Sequence, residues 1–178
     1  ENGQAIYQGS NVSKGVNTYY RRFPRQPEVV GGTGDAILEN IRLKTSSLIA
    51  NSGEVLELKH GAQLEIRIEI YLNPEIESAA ISIMFWNLEM LPVLDALGPD
   101  LSGCLIENTN DGRNIIELTL DNLLLNSGMH FISVIVSSRD LSKHYMRHDN
   151  AAFVHMTTGT HTGAHSIVKG QWCVNQHQ

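Results

Sequence analysis

The stretch QLEIRIEIYL at 63–72 sets Leu64, Ile66, Ile68, Ile70 and Leu72 strictly against Glu65, Arg67, Glu69 and Tyr71. A period of two sustained this long suits an extended chain with one buried and one wet face. A helix would scatter the same residues around its circumference. The theme recurs along the chain. AAISIMFWN places Ile81, Ile83 and Phe85 opposite Ser82, Met84 and Trp86, and NIIELTL (114–120) alternates Ile116, Leu118 and Leu120 with Glu117 and Thr119. MHFISVIVSS (129–138) is a β-branched run, read as a central strand buried on much of both faces. NAAFVHM (150–156) and HSIVKGQWCV (165–174) are read as the last two strands.

Turn chemistry separates these runs: NSGE at 51–54, KHGA at 59–62, LNPE at 72–75, NTNDGRN at 108–114 and NSG at 126–128. LEMLPVLDAL and DNLLLN are the stretches read as short helices. Many short strands with regular turns predict an all-β, antiparallel sandwich of the immunoglobulin-like or jelly-roll kind. At 178 residues the chain suits one domain. Residues 1–30 show weak periodicity and read as an N-terminal linker, with the sandwich over 31–178.

The glycines of GGTGDAILENIRL (31–43) raise the question of a phosphate loop. Such a loop needs a Lys and a Ser or Thr after its last glycine, and then a helix. Here Asp35 follows Gly34, and Ile37, Ile41 and Leu43 continue in strand rhythm. The glycines are read as a turn, and no nucleotide site is expected.

A net charge of −6 disfavours nucleic acid, which requires a basic surface. The local exception, YYRRFPRQP, sets Arg21, Arg22 and Arg25 among Tyr19, Tyr20 and Phe23 and is read as a linker or docking segment. Two cysteines, Cys104 and Cys173, are too few for a disulfide scaffold or a zinc ribbon, and reduced thiols are expected. No apolar run approaches the roughly 20 residues that span a bilayer. The polar start, Glu1 to Ser10, lacks a signal-peptide pattern and fits a cytosolic address.

Catalytic patterns fare poorly. His144 and His148, like His161 and His165, are four apart, a zinc spacing that works on a helix; both pairs lie where no helix is expected. No G-x-S-x-G elbow exists. Glu65 and Glu69 on one strand face would stand about 13 Å apart, too far for glycosidase chemistry. No catalytic residue, cofactor or metal ligand is assigned, and a binding module is the better reading.

GTGDAILENIRL, LELKHGAQLEIRIEIYL, NDGRNIIELTLDNLLLNSGMHFISVIVSS and HDNAAFVHM follow in this order. The order resembles the C-terminal domain of Wzt-type ATP-binding subunits of polysaccharide ABC transporters. Further points of likeness are the step from Leu125 to Gly128 before the central strand, the Phe153–Val154 pair, and the closing tryptophan strand. The resemblance runs from Gly31 to Val174.

The resemblance implies a β-sandwich homodimer formed by exchange of the C-terminal strand. It also implies a non-catalytic role in binding the non-reducing end of O-antigen polysaccharide before export. ATPase and membrane subunits of the transporter would be its partners, at the cytoplasmic face of the inner membrane, with the ATPase domain upstream. The chain departs from the family in NLEMLPVLDALGPDLSG, longer and more apolar than the usual hairpin, and in Met129–His130 after Gly128. No particular sugar specificity therefore follows.

A sugar offers directional hydroxyls and an apolar C–H face, so a site needs an aromatic ring beside charged or amide groups. The polar faces of two strands supply candidates: Tyr71, Arg67 and Glu69 from one, Trp86 and Ser82 from the other. Ser133 or Ser137 of the central strand would join them if the strands are neighbours. The competing structural reading makes Arg67 and Glu69 a solvated surface pair, and the rings dimer or loop contacts. Two alternatives stand beside the exporter domain: a carbohydrate-binding module of a glycan-active enzyme, and a sandwich mediating protein contacts.

Overall fold

The structure, a computed structural model, describes residues 5, 7–10, 18, 28–96 and 104–158. Within them the ordered elements are eleven β-strands in two sheets: β1 (Glu28–Gly31), β2 (Ala36–Lys44), β3 (Ile49–Asn51), β4 (Val55–Lys59), β5 (Leu64–Leu72), β6 (Ser78–Trp86), β7 (Pro92–Ala96), β8 (Cys104–Glu107), β9 (Arg113–Leu120), β10 (Gly128–Ser137) and β11 (His144–Thr158). The small sheet runs β3-β2-β5-β9. The large sheet runs β1-β11-β10-β6-β7, with β4 also on β11 and β8 also on β6. All pairings are antiparallel except that of β4 with β11, which is parallel.

The expected sandwich is therefore the observed one, and alternation builds it. Leu64, Ile66, Ile68, Ile70 and Leu72 of β5 face inward and are fully buried, as are Phe85 of β6 and Ile132, Val134 and Val136 of β10. Each such side chain contributes about 1.5–3 kcal/mol by leaving water, and together they join the two sheets into one core.

The glycine stretch is a turn, as expected. Gly31 ends β1, and Gly32 and Gly34 hold positive φ before β2 begins. A side chain at Gly32 would stand 2.6 Å from the Tyr145 carbonyl oxygen, so glycine is required there. The Thr33 and Gly34 amides donate to the carbonyls of His144 and Tyr145 at 3.1 and 3.0 Å, which leaves neither to cradle an anion.

Several expectations need correction. LEMLPVLDAL is not helical where it is described: Pro92–Ala96 is β7, paired with the second half of β6, with Pro92 at the strand start where its missing N–H costs least. DNLLLN is not a helix either. It bends at Asn122, whose φ is positive, and sinks Leu123 and Leu125 into the core two residues apart. β1 draws residues 28–30 of the expected linker into the large sheet. The strand expected at 150–156 is longer, running over His144–Thr158. The expected strand HSIVKGQWCV, with Cys173, His161 and His165, and the segment YYRRFPRQP lie outside the described residues.

Candidate functional site

Two strands whose apolar residues share one core must present their polar residues on opposite outer surfaces if they belong to facing sheets. This is the case for β5 and β6, consecutive in sequence but in different layers. The six site residues expected from sequence therefore do not form one face. Tyr71, Arg67 and Glu69 lie outside the small sheet, and Trp86, Ser82 and Ser133 lie on the outer side of the large one.

The small-sheet group is occupied with itself. Arg67 donates to Glu117 at 2.7 Å and to Glu69 at 3.3 Å, Lys44 meets Glu65 at 2.7 Å, and Arg113 approaches Glu39 at 3.7 Å. Hydrogen bonding to Glu117, then to Glu69, pushes the Arg67 guanidinium pKa further up. A groove of about 190 Å³ runs between Arg42, Lys44, Glu65, Arg67, Glu117 and Thr119. Tyr71 stands between Ile37 and Arg113 by register, its ring against the Gly112 turn. This surface is a ladder of solvated ion pairs, each of small worth.

The large sheet carries a different outer surface. Register aligns Val55, Phe153, Phe131 and Trp86 in one row across β4, β11, β10 and β6. Phe131 and Phe153 meet edge to face at 5.7 Å between centroids and 84°. With Met129 they form a second apolar cluster, buried although it lies on the side away from the core. Along β10 the next outward residue is Ser133, opposite Met84, and then Ile135, opposite Ser82 and Arg147.

Here the strand pairing opens. Ile132 pairs with Ala152 and Val134 with His148, so Asp149, Asn150 and Ala151 all stand against Ser133. Asn150 takes a positive φ of 54°, which side-chain amides tolerate better than most residues do. The bulge brings Asp149 over Ser133, whose hydroxyl donates to Asp149 Oδ1 at 2.7 Å. Arg147 grips the same carboxylate at two points, Nε to Oδ1 at 3.0 Å and Nη2 to Oδ2 at 3.1 Å. Its guanidinium lies over the Trp86 ring, 5.3 Å from the centroid. The Asp149 side chain is buried, whereas that of Arg147 is 40% exposed.

Two further polar atoms on this layer have no hydrogen-bond partner among the described residues, the Trp86 indole N–H and Nδ1 of His155. Burial pushes the His155 imidazole below the usual histidine range, against a smaller upward pull from Glu57. His130, near the same end of β10, is also held down by burial, with Nε2 2.9 Å from the Asn126 carbonyl. His144 sits with Nδ1 2.8 Å from the Ser137 hydroxyl, and His148 turns Nδ1 to the Asp149 carbonyl at 3.2 Å. Among the described residues no three His, Cys, Asp or Glu side chains gather in a metal-binding arrangement.

The arrangement of an aromatic ring, a forked donor, a hydroxyl and a buried carboxylate on one sheet suits hydrogen bonding to a polyol that also presents an apolar face. Two of the six expected residues, Trp86 and Ser133, belong to it, and Ser82 stands further along the same side. Arg147 and Asp149 were missed, because HYMRHDN shows no period of two. The signal available was an Arg and an Asp two apart, directly ahead of a clear strand.

Comparison with known proteins follows from the fold. The family model described as the Wzt C-terminal domain matches residues 28–169. The crystal structure of the C-terminal domain of wzt superposes with a TM-score of 0.65 at 15% identity, covering 89% of this chain and 96% of that one. At such identity the likeness is one of fold. A Niemann-Pick type C2 protein from Japanese carpenter ant gives a TM-score of 0.49 at 11% identity, over 72% of this chain and 98% of that one, too loose to carry an argument. No curated protein sequence matches the chain.

Proposed function

The chain belongs to the Wzt C-terminal domain family, and on that premise we propose that it is a non-catalytic carbohydrate-recognition domain. It binds the non-reducing end of O-antigen polysaccharide and couples that glycan to export by an ABC transporter, working with the transporter's ATPase and membrane subunits at the cytoplasmic face of the inner membrane. Among the described residues no helix is long and apolar enough to cross a membrane.

The observation that carries the glycan reading is the outer surface of the large sheet. Trp86 and Arg147 lie stacked there beside the Ser133–Asp149 pair, with the indole N–H lacking an acceptor. Stacking on C–H groups and forked hydrogen bonds to hydroxyls are what such a set offers. The ion-paired surface of the small sheet has its charges already matched, so Arg67, Glu69 and Tyr71 are the lesser candidates.

Calorimetric titration with O-polysaccharide tests the assignment. Trp86→Ala is expected to weaken binding at least about tenfold, the worth of one good stacking contact, with the far-ultraviolet circular dichroism unchanged. Parental affinity in a folded variant would remove Trp86 from the site.

The domain also acts as a homodimer through exchange of its C-terminal strand. Deletion of residues 165–178 is expected to yield monomers in light scattering, and a monomeric intact chain would refute the exchange.

A further inference from the structure

We infer that the large-sheet surface reads a neutral sugar terminus and discriminates against phosphorylated or carboxylated ones. The inference rests on the proposal that this surface binds glycan. The cation over the aromatic row, Arg147, is engaged at two points by the buried carboxylate of Asp149, so the pair contributes donors without net charge. A further carboxylate stands on the same outward layer: register sets Asp95 beside Met84. An anionic terminus would have to displace Asp149 from the fork while approaching a second negative group, and like charges brought together in a partly desolvated site repel strongly.

What the surface does offer is unmatched donors. No described residue accepts from Nη1 of the 40% exposed Arg147, which leaves its N–H groups for a ligand; the Trp86 indole N–H also lacks an acceptor but is buried and takes no part. Hydroxyl oxygens and acyl carbonyls of an uncharged sugar are acceptors that need no counter-charge, and the ring beneath Arg147 and the neighbouring Met84 suit its apolar side. Asp149 here is a positioning residue. It holds the fork flat over the ring and cancels its charge.

The test uses the intact chain and a panel of hexose-, deoxyhexose- and N-acetylhexosamine-ended oligosaccharides, each with a counterpart bearing a terminal phosphate or uronate. Neutral members are expected to bind more tightly than their acidic counterparts, with affinity changing less than about twofold between low and high salt, since few charges are left to screen. Arg147→Ala is expected to lose about tenfold. Asp149→Asn, which frees the Arg147 charge, should shift the ratio of neutral to acidic affinities about tenfold toward the acidic members. Tighter binding of the acidic members, falling steeply with salt, overturns the inference and leaves the glycan reading standing. So does an unchanged neutral-to-acidic ratio in an Asp149→Asn variant whose melting curve matches the parent's. If that variant does not fold, the panel and salt series on the unmodified chain decide. Binding of neither set overturns both.

Discussion

On the small sheet the outward positions of β5 are Glu65, Arg67, Glu69 and Tyr71, and their charges are matched across the strands in contact with water. On the large sheet the outward positions of β10 begin with Met129, Phe131 and Ser133, each less than 5% exposed. Both surfaces lie opposite the same core, yet one is wet and the other largely removed from solvent. The difference shows where recognition is affordable. A solvated ion pair can rearrange at little cost, whereas a carboxylate held under a guanidinium beside aromatic rings is fixed in place before a ligand arrives.

The contrast breaks first on Phe131. If the outer layer of the large sheet is a second core, Phe131→Ala should cost about 3–5 kcal/mol, as a truncated core phenylalanine does. Denaturant titration measures it, and a loss near zero would make the two outer surfaces alike.

A smaller effect separates the sheets by pH. His130, His148 and His155 lie on β10 and β11, and burial lowers each below the ordinary histidine value of 6.5. β2, β3, β5 and β9 contain no histidine. Above about pH 6.5 these groups are neutral in both folded and unfolded chains and nothing is lost. As the pH falls through that value the unfolded chain takes up protons that the folded one refuses, so stability declines until the folded imidazoles titrate as well. The melting temperature should drop across this window, and His130→Gln should flatten the drop. An unchanged slope in that variant would clear His130 of the effect.

The smallest effect is expected at Arg67. Arg67→Ala should leave the melting temperature within experimental scatter and the glycan affinity unchanged, because its partners Glu69 and Glu117 remain hydrated. A clear loss of affinity would move the site to the small sheet.

Much of this architecture could be read from alternation. β5 and β9 show it cleanly because one face of each meets the core and the other meets polar surroundings, β6 keeps it although its outer face packs Trp86 against a second apolar cluster, and β10 declared its two-sided burial by a run rich in β-branched residues. The site was half legible. Trp86, Ser82 and Ser133 stood out as polar or aromatic residues at outward positions, but no periodicity tells which of two sheets a strand joins, so Arg67, Glu69 and Tyr71 were grouped with them. Arg147 and Asp149 stayed hidden for another reason. Register shifts between Val136 and Ser137 and between Ile132 and Val134 interrupt the pairing on either side of them, and their half of β11 turns polar groups toward one another where a regular strand would show an apolar stripe. β7 was misread because Leu91, Val93 and Leu94 cluster around a proline without alternating.

The widened step at Asp149–Ala151 gives this fold a vernier. Three residues there face the single Ser133, so excising two would close the step with Ala152 still on Ile132 and His148 still on Val134, and every interior side chain would keep its orientation. Excising one would leave an ordinary bulge of two residues against one. Length variation at this single notch is thus a route by which the domain can present a different set of groups beside Trp86 without recutting its interior.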